Sequence, residues 1–172
     1  MPDTIHRLLE VLATWPRIGL LFLVGLACVA GFEWRARKLG RENRALDGRR
    51  WYTPEQARAF FEAIGAGGRR LYAATQLTLD VLFPLVYGAL FAALILRVYP
   101  PGRAVYLAHV PLLGTLADLL ENVTTAYLAL RFDGRPSQVA RVAAVFTLSK
   151  TVLFVLSVLL ILWGALASTL LA

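Results

Sequence analysis

Long apolar stretches alternate along the chain with short segments that are rich in charge. A membrane-spanning helix needs about 20 mostly apolar residues, because the hydrocarbon core of a bilayer is about 30 Å thick. A backbone inside lipid must satisfy its own hydrogen bonds, so each long apolar stretch is predicted to be a helix. The predicted spans are residues 17–34, 71–98, 104–130 and 139–171. We therefore predict an all-α fold, a four-transmembrane-helix bundle that forms a single membrane domain.

Two further segments have the pattern of short amphipathic interfacial helices. Residues 1–16 carry apolar side chains at helical spacing, which indicates a helix on the outer membrane surface. Thr53 followed by Pro54 is typical of a helix N-terminus, and helical apolar spacing continues through residues 53–64. The glycines within residues 65–68 are predicted to end this helix. It should lie on the inner leaflet or on the end of the bundle, and a simple tether is favoured over a mobile lid.

Positive charge is distributed unevenly between the two sides of the predicted bundle. The basic segment 35–70 carries ten Lys or Arg residues, and the connection between the last two spans adds three more. The opposite side has four, which are Arg7, Arg17, Arg97 and Arg103. The positive-inside rule then places both termini outside the cytoplasm, in the plasma (inner) membrane of a bacterium. This topology explains the net charge of +7, so we expect attraction to anionic lipid and no nucleic-acid partner.

The first apolar segment is predicted to be retained as a helix. A signal peptide carries its positive charge before the apolar stretch, whereas the arginines here follow it. Cys28 is the single cysteine and His109 has no partner histidine on another span, so neither a cysteine-type zinc site nor haem ligation is supported. We expect no metal and no cofactor.

Ionisable residues inside the predicted spans form the candidate functional site. Such residues are costly in a membrane and usually face the interior of a bundle. With a rise of about 1.5 Å per residue, the charged side chains of three spans all lie roughly 14–18 Å from the cytoplasmic ends of their helices. Polar neighbours share the same helix faces, so these faces should meet. The candidate ligand- or ion-binding residues are Gln76, Asp80, Asp118, Glu121, Asn122 and Lys150.

Pro84 is predicted to kink the second span beside this cluster. Proline has no backbone N–H, so the carbonyl four residues earlier, which belongs to Asp80, loses its helical donor. A freed carbonyl at this depth is tolerated where it lines a cavity or finds another partner.

The charges within the predicted cluster do not balance. Three carboxylates, those of Asp80, Asp118 and Glu121, face the single ammonium of Lys150. Retained protons, a bound cation, an amine ligand or water must offset the excess in a low dielectric. A purely structural network is the plainest interpretation. The leading functional hypothesis is a small-ligand or cation site reached from the cytoplasmic half, with Gln76 and Asn122 orienting the ligand.

Three other functions stay open. The acids could relay a proton or cation in a transporter or channel, or they could lock helices together in a structural or assembly subunit. A lipid-modifying enzyme ranks lower, because no nucleophile–base pair or metal triad supports catalysis. The expected partners are the lipid bilayer, a small-molecule, lipid or cation ligand, and a second copy of the chain or a membrane-complex partner.

Residues 53–125 contain a set of short motifs. They include Thr53-Pro54-Glu55, Phe60-Phe61, Phe83-Pro84 and Asp118-x-x-Glu121-Asn122. This part of the chain resembles a family of small bacterial four-helix integral membrane proteins that has no known activity. The resemblance implies the four-helix architecture and carries no activity with it.

Overall fold

The structure is a computed structural model that describes residue 11, residues 13–40 and residues 45–170. In this part of the chain the regular structure is helical and contains no strand. A short 3-10 turn, Leu46–Gly48, follows the first helix. The helices are α1 (Trp15–Leu39), α2 (Pro54–Ala63), α3 (Gly65–Gln76), α4 (Leu79–Val98), α5 (Pro101–Leu107), α6 (His109–Leu130) and α7 (Val139–Leu170).

Four helical stretches are long and apolar enough to cross a membrane. Two of them are single helices, α1 and α7. The other two are interrupted, one built from α3 and α4 and one from α5 and α6. The predicted all-α bundle of four spans is confirmed.

The helices pack around α4 and α6, which contact most of the others. α6 packs along α7 and against both α3 and α4, and α4 also contacts α7. α1 packs mainly on α4 and has at most marginal contact with α7. Most of the surface of α1 and α7 is therefore unburied and apolar, as expected for helices that face lipid.

The second span is interrupted at Leu77 and Thr78, directly before Asp80. The hydroxyl of Thr78 donates to the carbonyl of Ala74, and the hydroxyl of Thr75 donates to carbonyls of the preceding turn. Such bonds back to the helix compete with the regular ladder and bend it. The backbone is thus irregular at the depth where the charged residues gather.

α2 begins with the predicted cap. The side chain of Thr53 accepts from the backbone of Gln56, whose side chain accepts from the backbone N–H of Thr53. The apolar face of α2 is buried in a core at the end of the bundle, where Phe61 packs on Tyr72 and Phe132. Contact with the membrane surface stays a prediction, and the helix expected near residues 1–16 falls mostly outside the described residues.

Only one of the glycines expected to stop α2 does so. Gly65 has a φ of +65°, which glycine adopts without strain, and the chain turns there between α2 and α3. Gly67 and Gly68 lie inside α3, so the second span starts earlier than the predicted residue 71.

α4 and α6 cross closely at Gly88. A Cβ atom at this position would collide with the Oγ1 atom of Thr115. That hydroxyl donates to the carbonyls of Pro84, at 2.9 Å, and Pro111, at 3.1 Å. Gly88 therefore allows the approach that seats Thr115 against the kinked segment of α4.

We expect Gly88→Ala to destabilise the protein by about 1–3 kcal/mol, since the added methyl group must displace Thr115 from its hydrogen bonds. Gly67→Ala is the matched control, because a Cβ there meets nothing within 4 Å. Thermal unfolding in mild detergent, followed by circular dichroism, measures both. Equal stability of the two variants would contradict the close crossing.

Candidate functional site

Lys150 of α7 holds two carboxylates of α6. Its Nζ lies 2.8 Å from Asp118 Oδ1 and 2.5 Å from Glu121 Oε2. Each carboxylate has a second donor, because Tyr87 donates to Asp118 at 3.1 Å and Thr147 donates to Glu121 at 2.6 Å. The ammonium therefore joins α6 and α7, and Tyr87 connects them to α4.

A second buried cation, Arg35 of α1, lies in the same cluster. Its side chain is 7% exposed, and one guanidinium nitrogen lies 2.6 Å from Asp47 Oδ2. The other lies 3.7 Å from Asp80 Oδ2. The rings of Phe32 and Tyr72 also contact the guanidinium group, with centroids at 5.2 and 5.4 Å. Arg35 thus ties α1 to the 3-10 turn and to α4.

The sequence placed Arg35 only in the basic segment 35–70, and its burial in the cluster was not predicted. The helix continues to Leu39, and Cys28, Arg35 and Leu39 share its buried face. The spacing of seven and four residues between them was a usable signal. Asp47 and Tyr72 gave no signal, because a pairing across a loop depends on tertiary folding.

Asp80 is held by side chains from two helices. Gln76 donates to its carboxylate at 2.8 Å, and Thr125 donates to the amide oxygen of Gln76 at 3.1 Å. The side-chain amide of Asn122 donates to the backbone carbonyl of Asp80. This is the carbonyl that Pro84 leaves without a helical donor, so α6 supplies the missing partner.

Next to the loop that connects α1 and α2, the cluster is bordered by Asp47, Tyr52 and Tyr72. Burial would raise the pKa of Asp47, but the charges of Arg35 and Lys150 outweigh it and hold that pKa below its ordinary value. Tyr72 donates to Asp47 at 3.2 Å. Burial raises the pKa of Tyr52, whose hydroxyl lies beside Thr147 without a hydrogen bond of good geometry. Tyr52 therefore remains a neutral group.

A cavity of about 190 Å³ reaches the cluster from the side of the bundle. The Asp118–Lys150 ion pair forms part of its lining, together with three aromatic rings. The residues that line it are Phe83, Tyr87, Asp118, Lys150, Thr151, Phe154 and Val155.

The six candidate residues predicted from sequence therefore separate into two groups. Asp118 and Lys150 border the cavity. The other four, Gln76, Asp80, Glu121 and Asn122, are buried and do not line it. Neither Gln76 nor Asn122 lines the cavity, and their side chains form hydrogen bonds with residues of α4 or α6. The hypothesis that these two residues orient a ligand stays a prediction.

The charge imbalance persists in the assembled cluster. Arg35 adds one positive charge and Asp47 one negative charge, so four carboxylates face two cations. A low-dielectric interior makes an excess of negative charge costly, and a proton or a bound cation offsets it. The cavity gives an exogenous group access to Asp118.

Comparisons with known proteins give no information on function, so a functional proposal rests on the fold and the site alone. A search of protein families finds no match to this chain, and searches of curated proteins and of solved structures find none either. The resemblance to small bacterial membrane proteins stays a prediction.

We expect Arg35→Gln to destabilise the protein by about 3–5 kcal/mol, because it leaves the carboxylates of Asp47 and Asp80 without their cation. Adding Asp47→Asn to this variant should recover part of the loss. The control is Arg37→Gln, which removes an arginine whose side chain is 67% exposed in the same helix. Unfolding midpoints in mild detergent compare the three variants, and equal midpoints for Arg35→Gln and Arg37→Gln would refute the structural role.

Proposed function

We propose that this membrane protein binds a small apolar molecule that carries a positively charged amine. The observation that carries the proposal is the lateral cavity, in which aromatic rings and the Asp118–Lys150 ion pair line the same space. The amine would add to the free lone pairs of Asp118, and the apolar body would occupy the aromatic part.

The size of the cavity supports a ligand no larger than a substituted ring. Its volume is about 190 Å³, whereas a dry cavity of about 150 Å³ in another protein is enough to hold benzene. The cavity is mostly apolar with one charged end, which is the usual composition of a small-molecule site.

Charge and aromatic groups together favour a cation over a neutral ligand. The cluster holds more carboxylates than cations, so an added positive charge is stabilised there. Tyr87, Phe91 and Phe154 pack against one another with centroids 5.0–5.8 Å apart, and the faces of such rings attract ammonium groups.

The route into the cavity runs between α1 and α7. Phe32 of α1 packs edge-on against Phe83 at 5.3 Å, so α1 contacts a residue that lines the cavity. Phe154 and Val155 of α7 also line the cavity, and both are exposed. Since α1 and α7 have at most marginal contact, a ligand would enter from the hydrocarbon region.

Benzylamine and benzyl alcohol provide a matched pair of probes, because only the amine is charged at neutral pH. In saturation-transfer NMR of the detergent-solubilised protein, benzylamine should bind more tightly than the alcohol. Asp118→Asn should weaken amine binding by roughly 10- to 100-fold, the value of one hydrogen bond to a charged group. Phe154→Leu should weaken it less, since the ion pair stays intact.

Asp133→Asn is the control, since it makes the same chemical change in an exposed turn. Equal binding of the amine and the alcohol, unaffected by Asp118→Asn, would exclude the proposal and leave a structural network. Thermal unfolding of each variant checks that the fold is retained.

We also propose that the protein lies in a bacterial plasma membrane with both termini outside the cytoplasm. The support is the uneven charge along the sequence, with thirteen Lys or Arg residues in segments 35–70 and 131–141 against four on the opposite side.

Proton or cation transport is a second candidate, favoured by the bridging position of Lys150. This ammonium contacts Asp118 at the cavity and Glu121, which is completely buried behind it. A proton accepted at Asp118 would thus have an ionisable neighbour further inside.

If transport occurs, proteoliposomes should show a proton flux that Glu121→Gln abolishes while Glu62→Gln leaves it unchanged. Glu62 is a suitable control because its side chain is 45% exposed and outside the cluster. A dye-monitored pH change after an imposed potential reports the flux. Equal flux in empty liposomes and in liposomes with protein would rule out this candidate.

A further inference from the structure

A separate cavity of about 320 Å³ lies at the end of the bundle where α6 ends and α7 begins. It lies between α2 and the turn of residues 131–137 and is partly open. The lateral cavity shares none of its lining residues. It therefore requires its own explanation.

The floor of this end cavity is apolar and well packed. Ala57 and Phe61 of α2, Leu128 of α6 and Ala140 of α7 line it and are buried. Phe132 extends this surface, and its ring is held by Arg69, whose guanidinium lies 4.7 Å from the ring centroid. The floor is thus formed by side chains that are fixed in place.

The rim of the end cavity carries arginines that the protein only partly neutralises. Arg58 pairs with Glu62 at 2.7 Å. The carboxylate of Asp133 accepts the backbone N–H of Arg135 at 2.9 Å. In the described residues, neither Arg131 nor Arg135 has a carboxylate within 4.0 Å of its guanidinium.

Two helix ends add to this positive potential. Pro54, the first residue of α2, lines the cavity, and so does Ser137 just before α7. The N-terminus of a helix carries a partial positive charge from its aligned peptide dipoles. Both ends and the two unpaired arginines thus favour an anion at the rim.

The cavity also reaches the outer surface of the bundle. Tyr127 lines it and is 52% exposed, and Arg131 follows one helical turn later. Tyrosine near the end of a spanning helix is typical of the level of lipid headgroups. An amphiphile could place its charged group at the arginines and its apolar part along Tyr127.

We propose that the end cavity binds the phosphate group of an anionic phospholipid. The guanidinium groups of Arg131 and Arg135 hold the phosphate, because a planar fork of donors matches its oxygens. The buried apolar floor receives the first carbons of the lipid. Inorganic phosphate could bind the same arginines, but it has no apolar part to contact the floor of the cavity.

The test compares phosphatidylglycerol with phosphatidylcholine of the same acyl chains, added to the full-length protein in mild detergent. Native mass spectrometry counts the lipids retained per chain. The wild type should retain one phosphatidylglycerol in preference to phosphatidylcholine. Arg131→Gln with Arg135→Gln should lower the apparent affinity for phosphatidylglycerol about 30-fold, since each cation near the surface contributes about fivefold.

Arg50→Gln with Arg70→Gln is the matched control. It removes the same charge from two exposed arginines that do not line the cavity. Retention of phosphatidylglycerol should be nearly unchanged in this variant, and millimolar inorganic phosphate should not displace the lipid. All four arginines are exposed, so each double variant should keep the unfolding midpoint of the wild type.

Three results would overturn the proposal. Equal loss of lipid in both double variants would mean that diffuse surface charge attracts it. Equal retention of the two lipids by the wild type would remove the role of net charge. Displacement by inorganic phosphate alone would assign the arginines to the free ion.

Discussion

Two buried cations, Arg35 and Lys150, connect the helices of this protein at one level. Arg35 joins α1 to Asp47 and Asp80, and Lys150 joins α7 to two carboxylates of α6. Removing one partner of a buried ion pair leaves the other charge unpaired in a low dielectric. The free energy lost in this way is much larger than the net free energy gained when the pair forms. The helices therefore cannot rotate independently, since any rotation would leave a charge unpaired. Apolar packing in lipid lacks this directionality, because the alternative contacts with acyl chains are equally apolar.

The irregular backbone of the second span follows from the same constraint. Pro84 and the hydroxyls of Thr75 and Thr78 disturb the helix beside Asp80. α6 then provides the amide of Asn122 for the freed carbonyl. A polar defect is thus satisfied from a neighbouring helix, as membrane proteins require. The consequence is a locally polar interior that borders an aromatic cavity.

The spans and the depth of the acids could be predicted because both depend on local sequence. Runs of apolar residues define the helices, and a fixed rise per residue places Asp80, Glu121 and Lys150 at one level. The burial of Arg35 was not predicted, because the positive-inside rule uses arginines near a span only to assign orientation. The sequence could not predict which acids border a cavity, since this depends on the rotation of each helix and on which helices pack together.

The proposed route into the lateral cavity between α1 and α7 has a consequence for how an occupant would be selected. A molecule that enters there arrives from the lipid phase, so the relevant concentration is its concentration in the bilayer. An amine that partitions strongly would fill the cavity at a low total dose even with weak intrinsic affinity. Half-saturation would then shift with the lipid-to-protein ratio. Related amines would rank by their partition coefficients as much as by their fit, and Asp118 would discriminate only by charge.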